Sequence, residues 1–235
     1  MTAKGKILHI PDGYLGPQTY IPLFGVSLIC WSVALKKIKK ELSAKQVPYL
    51  AMAAVFSFLI MMFNIPIPGG TTGHAVGAGI IAVLLGPWTA VIAVSVVLII
   101  QALIFGDGGI TAIGANCFNI AVVMPFVAYW VFNLFRGNSA TPARLSTAAF
   151  LSGYISLTIS AVMVAIQLGI QPVIAQGPDG QPLYSPYPLS VALPVMALEH
   201  LLLFGIVEGV LTVLLFKYFL KNEPELIYAV TGKDN

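Results

Sequence analysis

The chain has 235 residues, of which 58% are hydrophobic and 9% charged, with a net charge of +3. A water-soluble domain carries about 25% charged residues, so the composition excludes a soluble fold and points to a membrane protein. The small positive charge gives no ground for nucleic-acid binding, because the lysines cluster at the ends of apolar runs, where they report topology.

The apolar runs approach or reach the roughly 20 residues that cross a bilayer as helix. No repeated short segments alternate as barrel strands do, so the spans are expected to be helical. Residues 1–16 contain no apolar core of the kind a cleavable signal needs. Span one runs from about Tyr20 to Leu35 and stops at Lys36, Lys37, Lys39 and Lys40, with Lys45 following. That cluster is expected on the cytoplasmic side, which puts the N-terminus outside. Span two covers about Pro48 to Ile65 and returns outward. The Pro- and Gly-rich stretch from Pro66 to His74 cannot continue a regular helix. Span three, about Ala75 to Leu85, is short, with Ala78, Ala82 and Gly86 four apart, a ladder that lets backbones approach closely. Span four covers about Trp88 to Phe105, span five Ile110 to Phe135, span six Leu145 to Gly169 and span seven Ser190 to Leu220. A proline-rich outer loop, Ile170 to Leu189, precedes the last. The expectation is an all-α membrane domain of seven helices over residues 1–235, with its C-terminus cytoplasmic. Cys30 and Cys117 fall inside predicted spans without metal-type spacing and read as small buried groups.

This topology brings His9 and His74, two of the three histidines, to the outer side. Imidazole suits nickel, copper, zinc and iron. Two histidines alone are a weak signal and fit a hydrogen-bonded interfacial pair better than a metal site. Asn64, Gln101, Asn116, Asn119, Glu199 and His200 add polar groups at a matched depth in the outer half, where such groups usually face a cavity or each other. Gln101 and Asn116 fit support of a metal-bound imidazole and plain helix packing about equally. Asp107 reads most simply as a turn residue in Asp-Gly, with metal binding the lesser alternative. Glu208 lies deeper, nine residues beyond Glu199 and on the opposite helix face, where pairing with a partner subunit and capping a cavity both stay open.

The stretch from Leu8 to Leu15, Leu-His-Ile-Pro-Asp-Gly-Tyr-Leu, resembles the Met-His-Ile-Pro start of the CbiM/NikM family, the substrate-binding S components of energy-coupling factor (ECF) transporters for cobalt and nickel. Gly73-His74-Ala75, Phe105-Gly106-Asp107-Gly108-Gly109 and Gly114-Ala115-Asn116 resemble it too. The resemblance implies a chelate of four nitrogens: the amine of the residue at position 8, the backbone nitrogen and imidazole of His9, and the imidazole of His74. Such a near-planar set suits Ni(II) or Cu(II) better than tetrahedral Zn(II), with Co(II) the competitor. Leu8 stands where the family has its initiator methionine, and seven residues precede it. Residues 1–7 are therefore expected to be a gene-start artefact, with 8–19 as the metal-binding segment. The implied partners are a CbiQ/NikQ-like coupling subunit, CbiO/NikO-like ABC ATPases and a small CbiN/NikN-like membrane subunit. The small-residue faces of spans one and three are candidate docking surfaces. The chain carries no phosphate-binding Gly-x-x-x-x-Gly-Lys-(Ser/Thr) loop. Two other classes compete: an intramembrane metalloenzyme using His74, Glu199 and His200, and a standalone cation channel or secondary transporter.

Overall fold

The computed structural model describes residues 9–41, 47–66, 72–137 and 141–228. Among these, seven helices account for nearly all regular structure. They are α1 (Pro17–Glu41), α2 (Val47–Met61), α3 (Ala78–Leu85), α4 (Pro87–Phe105), α5 (Ile113–Arg136), α6 (Pro142–Gly169) and α7 (Leu189–Asn222). Five of the seven are long and apolar enough to cross a membrane, α2 and α3 being shorter. Large apolar side chains such as Ile21, Ile29, Leu134 and Leu202 stand exposed on the helices. A surface of that kind suits lipid rather than water.

The boundaries move for local reasons. α1 starts early because Pro17 lacks only an N–H that a first helical turn leaves unpaired anyway, while the Gly16 carbonyl accepts from Thr19 and Tyr20. It runs on past Leu35 through the lysines, which are good helix formers. α2 ends at Met61, four residues before Ile65, and the chain then makes a two-residue strand, β1 (Ile65–Pro66), antiparallel to β2 (Thr72–Gly73). α3 begins at Ala78 rather than Ala75, because Gly77 takes φ +75° and breaks the helical path. α5 begins at Ile113, not Ile110. Pro142 opens α6, with the Thr141 hydroxyl accepting from the Arg144 amide as an N-cap.

Three helices contain a wide, π-type turn: Gln101–Phe105 at the end of α4, Cys117–Val123 in α5 and His200–Phe204 in α7. Such turns are rare and concentrate at functional sites. Each here starts at or beside a polar residue singled out in the sequence.

The short α3 is the centre of the molecule. It packs against α2, α4, α5, α6 and α7, and every residue from Ala78 to Leu84 is buried. Gly79 faces α5 and α6 at ordinary contact range. A β-carbon there would lie 3.4 Å from the Gly153 Cα and 3.5 Å from the Ala128 side chain. The small-residue face of span three is therefore spent on its own neighbours and is not a docking surface. α1 sits at the edge, packing on α4 and α5. Cys117 is buried as expected, whereas Cys30 is only half-buried.

Candidate metal centre

The N-terminal segment is a short strap held from both sides. Asn116 on α5 makes a reciprocal pair with the Ile10 backbone: its Oδ1 accepts from the Ile10 amide at 3.1 Å and its Nδ2 donates to the Ile10 carbonyl at 3.1 Å. The Gly109 amide donates to the same carbonyl at 2.9 Å. Asp12 closes the strap, its carboxylate accepting from the amides of Ile110 (3.1 Å) and Thr111 (2.8 Å) and from the Thr111 hydroxyl. Burial pushes the Asp12 carboxyl up, but these bonds outweigh it and hold the group below its ordinary value. The approach needs glycine. At Gly109 a β-carbon would lie 2.3 Å from the Asp12 nitrogen, and at Gly108, with φ +89°, it would lie 3.1 Å from the His9 Cβ. Further along, Gln171 accepts from the Gly16 amide at 2.9 Å and donates to the Thr19 hydroxyl. The Ser185 amide donates to the Tyr14 carbonyl.

The strap delivers His9, 7% exposed, to the wide turn of α4. Its Nε2 lies 3.1 Å from Oε1 of the fully buried Gln101. With the Gln101 amide in this orientation its oxygen accepts, so Nε2 carries the proton and Nδ1 keeps its lone pair. His74, 8% exposed, comes from the extended segment between β2 and α3. Its Nδ1 lies 3.0 Å from the Ala75 carbonyl oxygen, which by the same reasoning leaves Nε2 as its donor. The two rings meet edge to face, with centroids 5.2 Å apart and planes at 89°. Burial pushes both imidazoles down to about 4, with the Gln101 bond opposing it for His9 and the neighbouring His9 adding to it for His74. Both rings are neutral at neutral pH, as metal binding requires. Among the described residues no three His, Cys, Asp or Glu side chains converge into a metal site. A metal held here would take further donors from backbone nitrogen or from residues outside the described set, among them Leu8.

The remaining sequence candidates divide. Asp107 is buried behind the turn after α4, with its amide donating to the Gln101 carbonyl at 2.9 Å, and its charge acts on His74. His200 also lies within electrostatic reach of His74, but its Nδ1 bonds the Met196 carbonyl one turn back on its own helix. Asn64, partly buried beyond α2, has an Oδ1 with no partner among the described residues. Asn119 is a correction to the single polar pocket under His74. Its side chain makes a reciprocal pair with Gln167 on α6 at 2.8 Å in both directions, so it joins helices and does not face the histidines. Glu208 is the larger surprise. It is fully buried, and its carboxylate accepts from the Val76 amide at 2.8 Å and the Gly77 amide at 2.9 Å. Its partner is in the same chain, two residues beyond His74.

The sequence also matches a family model over residues 9–226, described as the cobalt uptake substrate-specific transmembrane region, CbiM. The chain belongs to the CbiM family. Within reach of this CbiM-family chain is a fused nickel transport protein, NikMN, of Rhodobacter capsulatus, 50% identical over 94% of this chain. This chain spans 64% of that longer relative. A putative metal transport protein of Methanocaldococcus jannaschii is 43% identical, covering 93% of this chain and 94% of its own length. A crystal structure described as a transition metal transporter superposes with a TM-score of 0.87 at 42% identity, covering 96% of this chain and 100% of that one. The CbiM-family fold, a multi-pass membrane domain, is thus shared along essentially the whole described chain.

Proposed function

We propose that the chain is the metal-capture (S) component of an ECF uptake transporter, with Ni(II) as its preferred cargo and Co(II) as the competitor. The observation that carries this reading is the buried, neutral His9 and His74 pair, each ring tied through one nitrogen so that the other keeps a lone pair. The backbone nitrogen of His9 and the amine of residue 8, if both bind, would complete fused chelate rings with the His9 Nδ1. Four nitrogens in that arrangement favour planar d⁸ Ni(II). The nickel transport relative from R. capsulatus supports Ni(II), and the family's description as a cobalt uptake region keeps Co(II) as the competitor. The energy would come from outside the chain: a CbiQ/NikQ-like coupling subunit, CbiO/NikO-like ABC ATPases and a CbiN/NikN-like accessory subunit. The fused relative from R. capsulatus, longer than this chain, is in keeping with the last of these.

The test is metal titration of two purified forms in detergent, one starting at Met1 and one starting with methionine at position 8. Tight Ni(II) binding by the short form alone makes the amine at position 8 a ligand and residues 1–7 an extension absent from the working protein. Equal binding by both removes that amine from the chelate. Failure of both to bind Ni(II) or Co(II) overturns the reading.

A further inference from the structure

The buried carboxylate of Glu208 has no part in the four-nitrogen chelate, yet it is connected to it through a single peptide group. The Val76 amide donates to Glu208 at 2.8 Å. The carbonyl of that same peptide unit belongs to Ala75, and it accepts from His74 Nδ1 at 3.0 Å. Carboxylate, peptide and imidazole therefore stand in one continuous line of hydrogen bonds. An anion on the N–H side of a peptide draws its resonance toward the charge-separated form, which makes its carbonyl oxygen a stronger acceptor. A stronger acceptor at Nδ1–H fixes the tautomer and makes Nε2 a better donor, as a carboxylate in direct contact does for many metal-bound histidines.

The surroundings make the line rigid. Gly77 donates to both Glu208 oxygens, at 2.9 and 3.2 Å, and the Val76 carbonyl accepts from the Ser57 hydroxyl at 2.8 Å. Through Gly77, the N-cap residue of α3, the carboxylate also meets the N-terminal end of that helix. Phe204, one turn before Glu208 on α7 and so on the same helix face, is fully buried against Gly73, where a β-carbon would meet its ring. α7 thus grips the chain on both sides of His74.

We propose that Glu208 is a positioning residue for the metal site, acting on His74 through the Ala75–Val76 peptide to set its tautomer and donor strength. This rests on the reading of His74 as a metal ligand. The test is Ni(II) titration of the full chain, in both N-terminal forms, as wild type, Glu208→Gln, His74→Ala and the double variant. The isosteric Glu208→Gln keeps the buried volume but removes the anion. Its affinity should drop roughly 10- to 100-fold, the range for loss of a group that orients a ligand. In the His74→Ala background the same change should cost less than about twofold, because the route to the metal is already cut. The d–d absorption of bound Ni(II) supplies a second readout: it should move in Glu208→Gln and stay in Thr212→Val, a change one turn further along α7. Wild-type affinity and spectrum in Glu208→Gln, or an equal loss in both backgrounds, overturns the proposal. A wild type that binds neither Ni(II) nor Co(II) overturns instead the reading it rests on.

Discussion

At the scale of the residue, the site depends on which nitrogen of each imidazole holds the proton. Gln101 settles this for His9 by accepting from Nε2, and its own Nε2 has no partner among the described residues. Replacing Gln101 with leucine removes a poorly satisfied buried amide, so the fold should tolerate the change, while His9 becomes free to protonate at Nδ1. Ni(II) affinity should fall about 10- to 100-fold with little shift in thermal midpoint; a matched loss of both would make Gln101 a packing residue. The pH dependence follows from the same groups. A metal ligand must be unprotonated, so affinity falls with pH only where a ligand takes up a proton. Burial has pushed both imidazoles down to about 4. They should therefore contribute nothing to the slope between pH 8 and 5, and add to it only as pH falls through about 4. An ordinary α-amine titrates near 7.7–8.0, so if the residue 8 amine and the His9 amide both bind, affinity should drop about a hundredfold per unit below that value. A titration series giving three or four protons per metal across pH 7 to 6 would show that the imidazoles titrate at their usual value instead.

At the scale of the element, what was legible in the sequence was the kind of segment, and what was not was its partner. The Gly-rich turn after Phe105 is visible as a turn, but nothing local says that Gly108 and Gly109 exist to let residues 9–12 lie against them, almost a hundred positions away. Gly109→Ala tests that contact. Its β-carbon would lie 2.3 Å from the Asp12 nitrogen, a backbone atom that cannot rotate aside, so the strap must lift. The expected result is a loss of Ni(II) affinity at least as large as that of Gln101→Leu, with the helical core intact by thermal unfolding. The wide turns are a second thing that hydrophobic periodicity cannot reveal, since it assumes a uniform helix. Asn116 and Asn119 are three apart and share a face on a regular helix. The wide turn begins at Cys117 and includes Asn119, and Asn116 turns to Ile10 while Asn119 turns to Gln167. Glu208 was placed opposite Glu199 by the same regular count, and the turn at His200–Phe204 intervenes there too.

At the scale of the whole molecule, the proposed metal site is held by the way α7 and α6 close on α3. The small residues of span three are legible as a sign of close approach, but their partners are helices of the same chain, so depth and spacing alone could not tell docking from core. Two glycines separate the consequences. At Gly79 an added β-carbon would find neighbours at 3.4–3.5 Å, ordinary contact distances, so Gly79→Ala should cost little. At Gly153 it would lie 2.4 Å from the Thr212 hydroxyl and 2.9 Å from the Glu208 carbonyl. The hydroxyl belongs to a buried side chain, but the carbonyl is backbone, so α7 itself must give way. Overpacking of this kind costs about 1–3 kcal/mol, and here the displaced residue is the one that holds Val76 and Gly77. Gly153→Ala should therefore lower both the thermal midpoint and the Ni(II) affinity, although it touches neither histidine. Adding Thr212→Ala should restore stability only in part, because the clash with the Glu208 carbonyl remains. Were Gly153→Ala to lose stability and keep wild-type affinity, helix packing and His74 geometry would be independent, and the grip of α7 on the site would be looser than its hydrogen bonds imply.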